Sequence, residues 1–168
     1  KDGAGNPPNP DGIMTDYLWK DILTKQKLSR IIENYAQIVV DEDPDTKKKT
    51  VKQIWPRYHQ LDCVEKLLAD VKENGIGKLY LIQHSAGSGK SNSIAWLAHQ
   101  LIGLMQDGRP MIDSVIVVTD RRILDKQIRD TIKQFMQVKS TFQWAQHAGD
   151  LKKAIQDGKR IIVTTVEK

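Results

Sequence analysis

Cysteine is almost absent from this sequence, which has a single thiol, Cys63, among 168 residues. One thiol cannot form a disulfide within the chain, so a disulfide framework is excluded and a reducing, cytoplasmic setting is expected. Long apolar runs are also lacking, since the run from Val115 to Val118 is far shorter than the roughly 20 residues that span a bilayer. The first residues show no charged-then-apolar signal layout. We therefore expect neither secretion nor membrane insertion.

The composition is that of a globular chain, with 39% hydrophobic and 28% charged residues. The length suits one ordinary domain rather than two. The 26 Lys and Arg against 21 Asp and Glu give a net charge of +5, which permits a polyanionic partner without requiring one. Because position 1 is not Met and Lys168 follows directly after a predicted strand, we expect a piece of a longer polypeptide.

Gly and Pro divide the chain into three parts. Residues 1–12 are rich in both and predict a flexible linker. Residues 13–50 predict a helical connector followed by a charged loop: two short amphipathic helices with Thr15 and Thr24 as caps, a short strand at 37–40, and a solvated loop at 41–50. Residues 51–168 predict the main domain, which opens with a helix between Pro56 and Gly75.

The main domain alternates strand and helix patterns, which predicts an α/β fold with a parallel sheet. The expected strands are Leu79 to Gln83, Ser114 to Thr119 and Arg160 to Thr165. The expected helices are Lys90 to Met105, Arg122 to Met136 and Asp150 to Gln156.

A phosphate-binding loop stands between the first of these strands and the first helix. The segment from His84 to Ser91 reads His-Ser-Ala-Gly-Ser-Gly-Lys-Ser. Its glycines permit a tight turn whose N–H groups face phosphate oxygens, and the helix N-terminus adds its positive end.

Lys90 is the predicted catalytic residue between the β and γ phosphates, and the Ser91 hydroxyl is the predicted Mg²⁺ ligand. His84 occupies the place of the first Gly in the general pattern, and we expect it to shape the loop. The candidate ATP-binding residues in this loop are Ser85, Ala86, Gly87, Ser88, Gly89, Lys90 and Ser91.

This loop resembles that of superfamily 2 helicase-like ATPases, and is most similar to the form in the restriction (R) subunit of type I restriction-modification enzymes. There a His and a small polar residue precede the Gly-Ser-Gly-Lys core, as His84 and Ser85 do here. Upstream, the segment from Arg57 to Gln60 is similar to the adenine-reading element of that family. The resemblance implies that the Gln60 amide, which both donates and accepts, binds the adenine edge.

Two downstream segments resemble the family's contacts to the nucleic-acid backbone. One begins at the end of a predicted strand and includes Thr119, Arg121 and Arg122, and the other contains Thr164 and Thr165. The resemblance implies that these five residues bind DNA, as short hydroxyls and guanidinium groups suit phosphate tracking without base readout. Solvated arginines and ordinary strand threonines would give the same pattern.

The resemblance implies that the main domain is the incomplete first RecA-like motor lobe of an ATP-dependent double-stranded DNA translocase. The parent would be an ATP-dependent deoxyribonuclease that uses ATP and Mg²⁺ and acts with methyltransferase and specificity subunits. No strand ending in the acidic pair needed for hydrolysis follows the phosphate loop. The family's sheet has further strands between the phosphate-loop strand and the downstream ones, so we expect a gap in the core. We also expect these 168 residues alone to be inactive.

Other functions fit the phosphate loop as well. The chain could belong to another superfamily 2 helicase or translocase, to a small-molecule kinase, or to a non-catalytic nucleotide-binding module. The Gln60 element and the two strand-end segments favour the translocase.

Overall fold

The computed structural model describes residues 9–42, 46–120, 122–135 and 142–166. The chain forms two compact units, Lys1–Cys63 and Val64–Lys168. The boundary between them lies within the helix Tyr58–Asn74. In the described part of the chain, every helix is too short or too polar to cross a membrane.

The first unit begins with a π-helical turn at Leu18–Ile22, followed by helix α1, Lys25–Asn34. The apolar spacing that predicted this helix places Ile31 and Tyr35 in the core. Thr24 is at the N-cap, as predicted, but its hydroxyl donates to the Asp21 carbonyl oxygen at 2.8 Å instead of accepting from an α1 amide.

An antiparallel hairpin completes this unit, with strands β1, Gln37–Glu42, and β2, Lys49–Ile54. The predicted loop over 41–50 is therefore wrong at both ends, because Glu42 pairs with Lys49 in the ladder. The predicted exposure to solvent is correct for residues 46–50, which are exposed. Exposure of side chains does not prevent backbone pairing. Helix α2, Tyr58–Asn74, follows and ends at Gly75, as predicted.

The second unit confirms the predicted α/β fold, with a three-stranded parallel sheet and helices that pack on it. The elements, in chain order, are α3 (Lys90–Ile102), β3 (Met105–Gln106), β4 (Arg109–Pro110), β5 (Val115–Thr119), α4 (Arg122–Phe135), β6 (Phe142–Trp144), α5 (Ala148–Gln156) and β7 (Ile161–Thr165). The strand order in the sheet is β5-β7-β6.

Strand β7 is the centre of this unit. It lies between two parallel neighbours, and Ile161, Ile162 and Val163 have no exposed surface. Trp96 of α3 and Ile132 of α4 are also buried, on helices that pack together. Burial on both faces explains the unbroken apolar run that predicted this strand.

The predicted strand from Leu79 to Gln83 is wrong. Residues 78–85 have no regular structure, and Leu79 and Leu81 are 100% and 93% exposed. A strand requires a neighbour that pairs with its N–H and C=O groups, and within the described ranges no strand pairs with this segment. The apolar pattern of residues 79–83 favours a strand, but none of the described strands pairs with this segment.

Helix α3 ends at Ile102, three residues before the predicted end at Met105. Met105 instead opens a small hairpin, β3 and β4, which turns through Asp107 and Gly108, both at positive φ. This Asp-Gly turn is a strong hairpin signal that the helical interpretation overlooked.

Candidate nucleotide-binding site

The phosphate loop has the backbone conformation that its two glycines predict. Gly87 lies at φ +74° and Gly89 at φ +81°, both in the left-handed region that other residues rarely adopt. Gly89 is also the N-cap of α3, so the left-handed turn leads directly into the first helical turn. The loop is closed by a 3.3 Å hydrogen bond from the Ser88 amide to the Ser85 carbonyl oxygen.

Lys90, the first residue of α3, folds back over this loop. Its Nζ donates to the carbonyl oxygens of His84, at 3.1 Å, and Ser85, at 2.8 Å. The ammonium group is thus held beside the loop at the positive end of the helix dipole, where an anion is favoured. The predicted position of this ammonium group between the β and γ phosphates stays a prediction.

The loop is open to solvent on the side that a ligand would approach. Ser85, Ala86, Gly87 and Lys90 are exposed. In contrast, Ser88 is buried and Ser91 is half-buried in the first turn of α3. An exposed turn of small residues, an ammonium group and a helix N-terminus together fit a phosphate group.

The segment that enters the loop is attached to the last turns of α2. Lys78 Nζ donates to Asp70 at 2.8 Å, and the Tyr80 hydroxyl donates to the other carboxylate oxygen of Asp70. The hydrogen bond from Lys78, with a further contribution from Tyr80, lowers the pKa of Asp70. These contacts give residues 78–80 a defined position although they form no strand.

Gln60 lies in the first unit, in the first turn of α2, and is only 3% exposed. Its Oε1 accepts a 2.8 Å hydrogen bond from the Arg57 amide. This is half of a capping box, in which a Gln three residues into a helix satisfies the N–H of the N-cap. The side chain predicted to read adenine thus has a structural function in this helix, and adenine binding stays a prediction.

An apolar groove of about 570 Å³ also lies in the first unit. Its wall includes the edge-to-face pair of Tyr17 and Tyr58, whose ring centroids are 5.6 Å apart. Trp55 and Arg57 belong to the same wall. The sequence patterns did not single out this groove, because its residues come from three separate segments.

The predicted DNA-binding threonines lie together at the carboxyl ends of two strands. Thr119 of β5 is the register partner of Thr165 in β7, with Thr164 beside them. All three are buried. Thr119 Oγ1 donates to the Thr164 carbonyl oxygen and Thr164 Oγ1 to that of Ala145, each at 3.4 Å. The Thr165 hydroxyl is buried with no hydrogen-bond partner among the described residues.

The two arginines of that prediction are less completely described. Arg121 lies outside the described residues. Arg122 is the first residue of α4, and its side chain is also outside the described part. The structure therefore gives positions for the threonines alone, and DNA binding by all five residues stays a prediction.

Two residues of the second unit were missed by the sequence patterns. Arg160 Nη2 donates to the carbonyl oxygens of Ile102, at 2.6 Å, and Ile112, at 3.1 Å. His99 on α3 hydrogen-bonds the backbone at Ile132 of α4, and burial lowers the pKa of its imidazole. Neither has a sequence signal, because the partners are more than 30 residues away.

Two comparisons with known proteins agree with this geometry. The family described as SWI2/SNF2 ATPase matches residues 59–168. The chain is also 28% identical, over 142 residues, to the type I restriction enzyme HindI endonuclease subunit of Haemophilus influenzae. That alignment covers 80% of this chain and 13% of the relative. The resemblance to restriction subunits and helicase-like ATPases that the motifs indicated is confirmed.

Proposed function

Since the chain belongs to the SWI2/SNF2 ATPase family, we propose that it is the ATP-phosphate-binding part of a double-stranded DNA translocase in a type I restriction endonuclease. The main support is the phosphate loop, where the Lys90 ammonium folds over two left-handed glycines at the start of α3. The chain spans 13% of the length of its restriction-enzyme relative. The activity proposed for the whole protein rests on that likeness.

Each part of the loop has a distinct function in nucleotide binding. The turn through Gly87 and Gly89 presents backbone N–H groups to phosphate oxygens, and the N-terminus of α3 favours their negative charge. Lys90 binds the terminal phosphates, and in doing so exchanges its contacts with the His84 and Ser85 carbonyl oxygens for charged oxygens. Bound ATP supplies the phosphoryl group whose transfer to water drives the motor.

Ser91 fits the Mg²⁺ that accompanies ATP. Its hydroxyl lies one residue after Lys90, half-buried in the first turn of α3. Mg²⁺ usually takes one or two protein oxygens and completes its shell with phosphate oxygens and water. Within the described ranges, no three His, Cys, Asp or Glu side chains cluster as a metal site. We therefore propose the Ser91 hydroxyl as the protein ligand of Mg²⁺ among the described residues.

Gln60 is proposed to select adenine. Its side-chain amide can donate and accept at one base edge, and its position in the first turn of α2 is fixed by the contact with the Arg57 amide. A fixed amide loses less conformational entropy on binding than a mobile one, which favours affinity for the base.

The DNA surface is proposed to comprise Thr119, Arg121, Arg122, Thr164 and Thr165. The pairing of Thr119 with Thr165 brings the two segments together at the carboxyl ends of β5 and β7, and the net charge of +5 favours a polyanion. The likeness to a restriction subunit supports methyltransferase and specificity subunits as partners in the cytoplasm.

DNA-stimulated ATPase activity of the complete polypeptide tests this function. The wild type is assayed with and without linear double-stranded DNA, beside Lys90→Ala and a matched control, Lys152→Ala, on the exposed face of α5. We expect DNA to stimulate hydrolysis in the wild type and the control and not in Lys90→Ala. Hydrolysis that is indifferent to DNA, or transfer of phosphate to a small molecule, would contradict the translocase. The isolated 168 residues should bind ATP weakly and show negligible turnover.

A further inference from the structure

Arg160 links the central sheet to the far end of the phosphate-loop helix. Its backbone is fixed in the sheet, because the Val115 amide donates to the Arg160 carbonyl oxygen at 2.8 Å. The preceding carbonyl oxygen, of Lys159, accepts a 2.8 Å hydrogen bond from Ser114 Oγ. From this fixed position the side chain reaches Ile102 O, at 2.6 Å, and Ile112 O, at 3.1 Å.

Ile102 is the last residue of α3, so its carbonyl oxygen has no partner within the helix. The guanidinium satisfies that oxygen and places a positive charge at the negative end of the helix dipole. Arg160 is half-buried, and its Nε is buried without a hydrogen-bond partner among the described residues. Hydrogen bonds from a charged group are stronger where water is partly excluded.

The other end of α3 carries the phosphate loop. Lys90 and Ser91 form its first turn, about 20 Å from Ile102 at 1.5 Å per residue. A helix of this length moves nearly as a rigid rod, so a shift at Ile102 changes the position of both residues. Phosphoryl chemistry tolerates little such movement, since a 1 Å misplacement costs on the order of 100-fold in rate.

We propose that Arg160 is a positioning residue for nucleotide binding: it fixes α3 along its axis against the sheet and thereby sets the place of Lys90 and Ser91. This inference rests on the proposed ATP-binding function. Ile112 contributes to this positioning, because its carbonyl oxygen accepts a hydrogen bond from the same Nη2. Ile112 lies in the segment that leads into β5.

The test uses the complete polypeptide and three variants. Arg160→Gln removes the charge, and Arg160→Lys keeps the charge on a shorter side chain that cannot reach both carbonyl oxygens. Arg109→Gln, on the exposed strand β4, is the matched control. ATP binding is measured by isothermal titration calorimetry, which reports Kd and the fraction of competent sites separately.

We expect the Kd for ATP to rise about 10-fold in Arg160→Gln and about threefold in Arg160→Lys, with the stoichiometry unchanged and Arg109→Gln within about twofold of wild type. A merely structural function would lower the stoichiometry and leave Kd unchanged, and that result overturns the proposal. Should Arg160→Gln not fold, Arg160→Lys decides in the same way. A wild type that fails to bind ATP contradicts the proposed function itself, whereas normal binding by wild type and variants alike overturns only the function of Arg160.

Discussion

Lys90 donates a 2.8 Å hydrogen bond to the carbonyl oxygen of Ser85, five residues earlier, and so closes the phosphate loop on itself. The contact puts a positive charge over the exposed turn between them. It also holds the ammonium group beside that turn, where we expect it to exchange the carbonyl oxygens for phosphate oxygens when ATP binds.

Gly89→Ala should weaken both the fold and nucleotide binding. Gly89 has a φ of +81° at the N-cap of α3, and a side chain in the left-handed region costs about 1–2 kcal/mol. We expect a lower thermal midpoint and a Kd for ATP raised about 10-fold. Differential scanning calorimetry and ATP titration measure the two effects.

The matched control is Gly149→Ala. Gly149 lies in α5, its φ is not in the left-handed region, and a Cβ there meets nothing within 4 Å. Alanine should therefore be neutral or slightly stabilising. Equal behaviour of the two variants would show that the backbone of the loop is not under the constraint described.

Gln60→Glu should separate the capping function of this residue from adenine recognition. A carboxylate can still accept from the Arg57 amide, and a negative charge near a helix N-terminus is favourable, so the N-terminal cap of α2 should be retained. A carboxylate has no donor for the base, so the Kd for ATP should rise about 10-fold, roughly the loss of one hydrogen bond to a buried group. Gln60→Ala should lose both the helix cap and the contact with adenine. Unchanged ATP affinity in Gln60→Glu would remove this residue from the site.

Thr165→Val should stabilise the chain and weaken DNA binding. The Thr165 hydroxyl is buried without a hydrogen-bond partner among the described residues, so replacing it by a methyl group should raise stability by up to about 1 kcal/mol. Thr164→Val, which loses the contact with the Ala145 carbonyl oxygen, should lower stability by a similar amount. If Thr165 contacts DNA, fluorescence anisotropy will show a several-fold weaker complex for Thr165→Val despite its higher melting temperature. Wild-type affinity would limit this residue to packing.

His99 should make the second unit less stable in mild acid. Burial against α4 holds the pKa of its imidazole below the ordinary value of 6.5. The unfolded chain therefore binds the proton more readily, and stability is complete above about pH 6.5 and falls as the pH decreases through and below that value. Urea unfolding at pH 7.5 and 5.5 measures this loss, and we expect it to be smaller in His99→Gln. The pKa of Asp70 is lowered from 3.8, so the loss of stability that protonation of this carboxylate causes falls in a more acidic range. An identical loss in wild type and variant would exclude His99 as the cause.

The phosphate loop could be predicted because its information is local. Gly87 and Gly89 specify left-handed backbone within four residues of Lys90, and the helix that follows has its own apolar pattern. The buried strand β7 could also be predicted, since burial on both faces leaves an unbroken apolar run at Ile161 to Val163.

The predictions that were wrong or missing concern structure that depends on residues distant in sequence. Leu79 and Leu81 have a strand composition, but whether they form a strand is decided by a neighbour that their own sequence does not specify. Strand β6 was missed because its three residues, Phe142–Trp144, are too few for a period to emerge. Arg160 reaches a carbonyl oxygen 58 residues away, a contact without any local signature.

Replacement of the phosphate-loop lysine tests the central claim most directly. The Kd for ATP is measured by isothermal titration calorimetry for the complete polypeptide, Lys90→Ala and the control Lys152→Ala. Hydrogen bonds from a charged group contribute about 1.5–3 kcal/mol, so Lys90→Ala should bind ATP roughly 10-fold to 100-fold more weakly, while Lys152→Ala matches wild type. Equal affinity in all three proteins would contradict the assignment of this loop as the nucleotide site.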